Sequence, residues 1–196
     1  MPQIVLASAS PRRRALLEQI GVSARVVPVD IDESRLGDEA PRDWVSRLAL
    51  EKARAGRERV GATCHVLGAD TLVVLGDRVF GKPRDGIEAC DMLAALSGRT
   101  HEVLSAVALV GPGHSRMRLS VSAVSFITLD DERIRAYWET GEPADKAGAY
   151  AIQGRGAVFV ERLEGSYSGV MGLPLHETAE LLSELGMAIP GPTPDT

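Results

Sequence analysis

The sequence predicts an α/β fold on a mixed sheet, and three observations carry that prediction. Apolar runs of strand length alternate with stretches of helical periodicity along the whole chain. Two long strand-like segments flank Gly111-Pro112-Gly113, a turn that returns the chain antiparallel beside itself. At 196 residues the chain suits one domain, large enough to bury a core without disulfides or metal staples.

The elements follow in order. Residues 3–7 read as a buried strand and residues 11–20 as a helix stopped by Gly21. Residues 25–29 form a short strand. Residues 41–59 form a long amphipathic helix with Trp44, Val45, Leu48 and Ala49 on one face. Residues 66–75 read as a strand that Gly76-Asp77 turns into Val79-Phe80. A helix is expected over residues 86–96, then the long strands at 102–110 and 117–129. Residues 130–139 open with Asp130-Asp131-Glu132, the acidic first turn that a helix dipole favours. A strand at 157–163 and a closing helix at 175–185, stopped by Gly186, complete the domain. The proline-rich tail, residues 190–196, reads as disordered.

Composition excludes several classes. The longest stretch free of Asp, Glu, Lys and Arg is 13 residues, 103–115, and a membrane helix needs about 20. No signal peptide is expected, and two cysteines without a CxxC pair point to a reducing, cytoplasmic setting. A net charge of −5 argues against nucleic acid as a partner. Only three lysines, Lys52, Lys82 and Lys146, stand against 19 arginines, so each is a candidate for a compact point charge that Arg would not replace.

Five clusters hold the polar chemistry. Ser8-Ala9-Ser10-Pro11-Arg12-Arg13-Arg14 follows the first strand, with Ser10 as N-cap and Pro11 as first helical residue. Three arginines then occupy the positive end of a helix dipole. They are either surface charges tolerated at small cost or part of a phosphate cradle. Asp30-Ile31-Asp32-Glu33 is either an acidic loop or a site for a hard divalent cation. Asp70 interrupts an apolar strand, so it needs a cation, a metal or a catalytic task. Gly81-Lys82-Pro83 is a rigid turn bearing a charge, while Lys52 lies on the apolar stripe of the long helix. Residues 146–154, Lys-Ala-Gly-Ala-Tyr-Ala-Ile-Gln-Gly, combine close-approach glycines with the amide of Gln153. The four histidines have no metal-ligand spacing, and no GxSxG elbow supports a serine nucleophile.

In this order the clusters resemble the Maf family of nucleoside triphosphate pyrophosphatases. The matching blocks are Leu6-Ala7-Ser8-Ala9-Ser10-Pro11-Arg12-Arg13, Asp32-Glu33, Arg47-Leu48-Ala49-Leu50-Glu51-Lys52-Ala53, Leu67-Gly68-Ala69-Asp70-Thr71 and Gly81-Lys82-Pro83. They continue through Leu96-Ser97-Gly98-Arg99-Thr100-His101, Ala147-Gly148-Ala149-Tyr150-Ala151-Ile152-Gln153-Gly154 and Gly172-Leu173-Pro174-Leu175.

The resemblance implies a single elongated domain over residues 1–189, a mixed twisted sheet with flanking helices and a central cleft between two lobes, as in inosine triphosphate pyrophosphatases. It implies hydrolysis of a nucleoside triphosphate to monophosphate and pyrophosphate, and suggests a homodimer. Ser8, Arg12 and Lys82 would then bind phosphates, with Lys52 close by. Glu33 and Asp70 would serve a divalent cation, Mg or Mn, and Asp70 would accept the proton of the attacking water. Arg13, Thr71 and Gln153 match the subfamily acting on dTTP and UTP rather than the one acting on methylated GTP. A non-catalytic regulator of septum formation is the rival reading from another class.

Overall fold

The computed structural model describes residues 3–189 apart from Ala62. The tail at 190–196 lies outside the described residues. The chain runs β1 (Ile4–Leu6), α1 (Pro11–Gln19), β2 (Ala24–Val26), α2 (Pro41–Val60), β3 (His65–Leu75), β4 (Arg78–Phe80), α3 (Gly86–Leu96), β5 (Thr100–Gly111), β6 (His114–Phe126) and α4 (Asp131–Glu139). Three 3-10 turns follow, Glu142–Asp145, Ala147–Ala149 and Arg155–Phe159, then β7 (Val160–Glu164), α5 (Tyr167–Met171) and α6 (Leu175–Ser183).

The strands form a seven-stranded sheet in the order β2-β1-β3-β5-β6-β7, with β4 hairpinned onto β3. β1 pairs parallel with both β2 and β3, while β3 with β4 and β6 with β7 are antiparallel. The mixed α/β architecture is therefore as the alternation of elements predicts. Two details differ. The strand expected from residue 157 begins only at Val160, because Arg155–Phe159 coils into a 3-10 turn. The five-residue helix α5 is too short to leave a periodic signal.

The chain packs as two compact units. The first comprises the described residues of Met1–Asp70, Ser105–Ser120 and Gly172–Thr196; the second comprises Thr71–Leu104 and Val121–Met171. β3, β5 and β6 each pass from one unit into the other. In the first, Val5, Ala7, Cys64 and Val66 are buried together, with Val27, Val29 and Val60 against them. The second has a larger aromatic core: Phe126 meets Tyr150 and Phe159 edge-on, and Tyr137 meets Phe159 likewise. Both cysteines are free. No helix among the described residues is long and apolar enough to cross a membrane.

Candidate active site

β3 and α2 build the centre of the first unit, and glycine decides how closely they approach. A Cβ on Gly68 would stand 2.3 Å from the Ala49 carbonyl oxygen and 2.4 Å from the Ala53 nitrogen, so α2 lies directly on the strand backbone. One turn further along α2, a Cβ on Gly56 would stand 2.8 Å from Ala7 Cβ and 2.9 Å from Val66 Cγ1. Residues 66, 68 and 70 share one face of β3. Ala49, Ala53 and Gly56 share one stripe of α2, and Lys52 belongs to the same side.

That contact brings Lys52 to Asp70. The lysine Nζ donates to Asp70 Oδ1 at 2.6 Å and lies 2.6 Å from Glu33 Oε1. Lys52 is 8% exposed and Asp70 6%, so this is a buried ion pair, whereas the Glu33 side chain is more than half exposed. The apolar-stripe lysine and the apolar-strand aspartate are each other's partners. The expectation that places Lys52 beside phosphates meets a different geometry here, since its ammonium rests against two carboxylates.

α2 also pins the loop that carries Glu33. Trp44 Nε1 donates to the Glu33 carbonyl at 3.1 Å, and Arg47 Nη2 donates to the Ser34 carbonyl at 3.0 Å. Arg47 grips both Glu39 oxygens at 2.9 Å and Glu51 at 3.0 Å. These hydrogen bonds raise Arg47 above and hold Glu39 below their ordinary values. Asp32 accepts from the Ser34 N–H at 2.9 Å, and hydrogen bonds from Ser34 lower its carboxyl. Asp32 is thus a turn-former, and Glu33 alone of the acidic run reaches the ion pair.

The strand-turn-helix segment supplies the second half of the cluster. Ala7 N–H bonds the Leu67 carbonyl at 2.8 Å, which extends the β1–β3 pairing to the residue before Ser8. Ser10 holds the N-cap position of α1, but its side chain does not cap the helix. Instead Ser8 Oγ, buried, accepts from the Ser10 N–H and from Arg13 Nη1, both at 3.2 Å. Arg13 Nε donates to the Gly172 carbonyl at 2.8 Å. Burial lowers the Arg13 guanidinium from its ordinary value; Asp70 opposes this, Arg12 adds to it, and Glu33 opposes it. Arg12 sits half-buried beside it in the first turn, and Arg14 pairs outward with Glu18 at 2.7 Å.

Ser8, Arg13, Glu33, Lys52 and Asp70 are therefore one electrostatically connected cluster. Thr71, Lys82 and Gln153 belong to the second unit. There the Gly148 N–H bonds the Gly81 carbonyl at 3.1 Å, which fixes the turn that exposes Lys82 and buries Pro83. Tyr150, 5% exposed, bonds His101 Nε2 at 2.9 Å and is a core residue. Gln153 stands exposed on a tight turn.

A hard divalent cation fits the Glu33–Asp70 pair in one form. Among the described residues no group of three or more His, Cys, Asp and Glu side chains could hold a metal ion, so an all-protein cage is absent. Two carboxylates that already converge on one ammonium suit an ion whose remaining ligands are water and substrate phosphate. The two carboxyl groups also keep lone pairs beyond those the lysine engages.

The Maf-like protein family model matches residues 3–185. The chain belongs to the Maf family. A Methylobacillus flagellatus protein called dTTP/UTP pyrophosphatase is 52% identical over 192 residues, covering 97% of this chain and 96% of that one. A Xylella fastidiosa (strain M23) protein called nucleoside triphosphate pyrophosphatase is 56% identical over 183 residues, 92% of this chain and 97% of that one. A HAM1 protein structure from Coxiella burnetii superposes with a TM-score of 0.56 at 19% identity, over 94% of this chain and all of that one, which bears on the fold alone.

Sequence reasoning missed Arg47, Trp44 and Gly68 as builders of the site. Their signals were present as an Arg beside the apolar stripe of α2, a Trp on that stripe and a glycine two residues before Asp70.

Proposed function

We propose that this Maf family chain is a cytoplasmic pyrophosphatase for dTTP and UTP. It hydrolyses the α–β phosphoanhydride to monophosphate and pyrophosphate, with residues 1–189 acting as one functional domain. The observation that carries the reading is the buried Lys52–Asp70 pair, joined by Glu33 and set beside Ser8 and Arg13. A carboxylate buried against a lysine in this way is the kind of group that proton abstraction uses. The names carried by the Methylobacillus and Xylella relatives support the same activity.

Asp70 accepts the proton of the water that attacks the α-phosphorus. The P–O bond to the β-phosphate breaks, and pyrophosphate departs with the electron pair. Lys52 pairs with Asp70 and fixes its direction. Arg12 and Lys82 offset the charge of the triphosphate and of the leaving group. Ser8, oriented by Arg13, offers its hydroxyl to a phosphate oxygen. A divalent cation of the Mg or Mn class, held by Glu33 and Asp70, would supply further charge neutralisation when bound. Gln153 pairs its amide with one carbonyl and the N–H of uracil or thymine, and Arg13 or Thr71 supplies another donor.

The test is pyrophosphate release from a panel of dTTP, UTP, CTP and GTP. Strong preference for dTTP and UTP is expected, eroded in Gln153→Ala. Equal efficiency on CTP and UTP would refute the substrate assignment, and no release from any of them would refute the activity.

A further inference from the structure

Gln153 is exposed, and what holds it in place lies in the same unit. The turn at residues 151–154 closes through the Gly154 N–H to the Ala151 carbonyl at 3.1 Å. On one side of Gln153, the Ala151 N–H donates to the Tyr137 hydroxyl oxygen at 3.0 Å. On the other side, the Arg155 N–H donates to Glu142 Oε2 and the Gly156 N–H to Glu142 Oε1, both at 3.0 Å. The circuit closes where the Tyr137 hydroxyl donates to Glu142 Oε1 at 2.7 Å. One carboxylate and one phenol thus grip the backbone on both flanks of the residue.

The fit is close and anchored in the core. A Cβ on Gly154 would stand 2.4 Å from Glu142 Oε2, and one on Gly156 would stand 2.7 Å from the Tyr137 hydroxyl. The Tyr137 ring is buried and meets Phe159 edge-on at 4.9 Å. Desolvation pushes the Glu142 carboxyl up, but hydrogen bonds from Arg155, Tyr137 and Gly156, with the charge of Lys146, bring it below its ordinary value. The group must accept three donors, which a carboxylate does and an amide does not: its NH₂ would face an N–H.

We propose that Glu142, acting with Tyr137, is a positioning residue for nucleobase selection that sets the height and direction of the Gln153 turn. The inference rests on the reading that Gln153 recognises the base. A glutamine that must match one carbonyl and one N–H is sensitive to small displacements of its backbone, because hydrogen bonds weaken steeply off-axis.

The experiment measures kcat and KM for UTP and CTP by pyrophosphate release in wild type, Glu142→Gln, Tyr137→Phe and Gln153→Ala, with thermal unfolding of each. Tyr137→Phe keeps the ring packing and removes only the hydroxyl, so it serves if Glu142→Gln does not fold. The UTP-over-CTP preference should fall about tenfold in Glu142→Gln, the scale of one charge-assisted hydrogen bond, and in the same direction in Tyr137→Phe. The change should sit in the KM for UTP. General loosening of the fold would lower both nucleotides together. Unchanged preference in the folded Glu142 and Tyr137 variants, while Gln153→Ala erodes it, overturns the positioning role alone. Unchanged preference in Gln153→Ala overturns the base-recognition reading and this proposal with it.

Discussion

Asp70→Asn separates catalysis from stability because the structure bounds the stability cost. The substitution keeps the side-chain shape and removes one charge from a pair buried at 2.6 Å. Deleting one partner of a buried ion pair costs about 3–5 kcal/mol when the other is stranded. Lys52 is not stranded here: Glu33 remains 2.6 Å from its Nζ, and the asparagine oxygen still accepts. The expected cost is therefore that of a weakened charged hydrogen bond, about 1–3 kcal/mol. Against a domain stability of about 5–15 kcal/mol, such a loss leaves nearly all molecules folded in all but the least stable case. Removing a positioned proton acceptor, in contrast, lowers turnover by about 10²–10⁴. Urea unfolding and pyrophosphate release with UTP, run on the same preparation, read the two effects independently. Turnover within tenfold of wild type in a folded variant would refute the assignment of Asp70. Activity that merely tracks the unfolded fraction would refute it equally.

Three further outcomes are expected. Exhaustive chelation should abolish hydrolysis and Mg²⁺ or Mn²⁺ should restore it, since Glu33 and Asp70 present hard oxygen ligands; full activity in chelator would show that the protein's own cations suffice. Gly68→Ala should lower stability by about 1–3 kcal/mol and activity with it, because the new Cβ meets α2 backbone and pushes Lys52 off Asp70; an unchanged melting temperature and rate would disprove the close-approach argument. His101 is 2% exposed and burial pushes its imidazole down to about 4 from 6.5, so between those values the unfolded chain binds more protons. Stability should be full above pH 6.5 and fall as pH drops to 4, by about 3 kcal/mol at most from this residue; a His101→Gln variant with the same pH slope in urea unfolding would contradict it.

The parts of the site legible in the sequence are those where a residue contradicts its own neighbourhood. Asp70 inside an apolar strand and Lys52 on an apolar helical stripe each signal an absent partner, and the structure supplies each with the other. Alternation of apolar runs likewise marks the strands, because strand and helix periods differ over a few residues. The three arginines at the start of α1 also contradict the helix dipole, but their resolution is not local. Arg13 finds Gly172, 159 positions away, while Arg14 turns outward to Glu18. Periodicity carries no information over such a separation. Glu142 gives no local signal at all: it follows a glycine in an ordinary polar stretch, and its role exists only through Tyr137 and the two N–H groups beyond Gln153.

Small residues explain why the Lys52–Asp70 pairing itself is harder to read than its two members. A salt bridge between a helix and a strand requires the helix axis at one particular height over the sheet. Side chains at the contact set that height, and α2 approaches the sheet through Ala49 and Ala53 against Gly68 and through Gly56 against Val66 and Ala7. Replacing any of these with a leucine would leave the hydrophobic pattern, the predicted elements and both charged residues as they are. It would lift the helix by the thickness of a side chain and leave Asp70 buried without its lysine, while Lys52 kept only Glu33. The information that Lys52 meets Asp70 therefore resides in glycine and alanine, residues that a reading of charges and periodicity passes over, and the Leu67-Gly68-Ala69-Asp70 block functions as a unit because its glycine is the spacer for its aspartate.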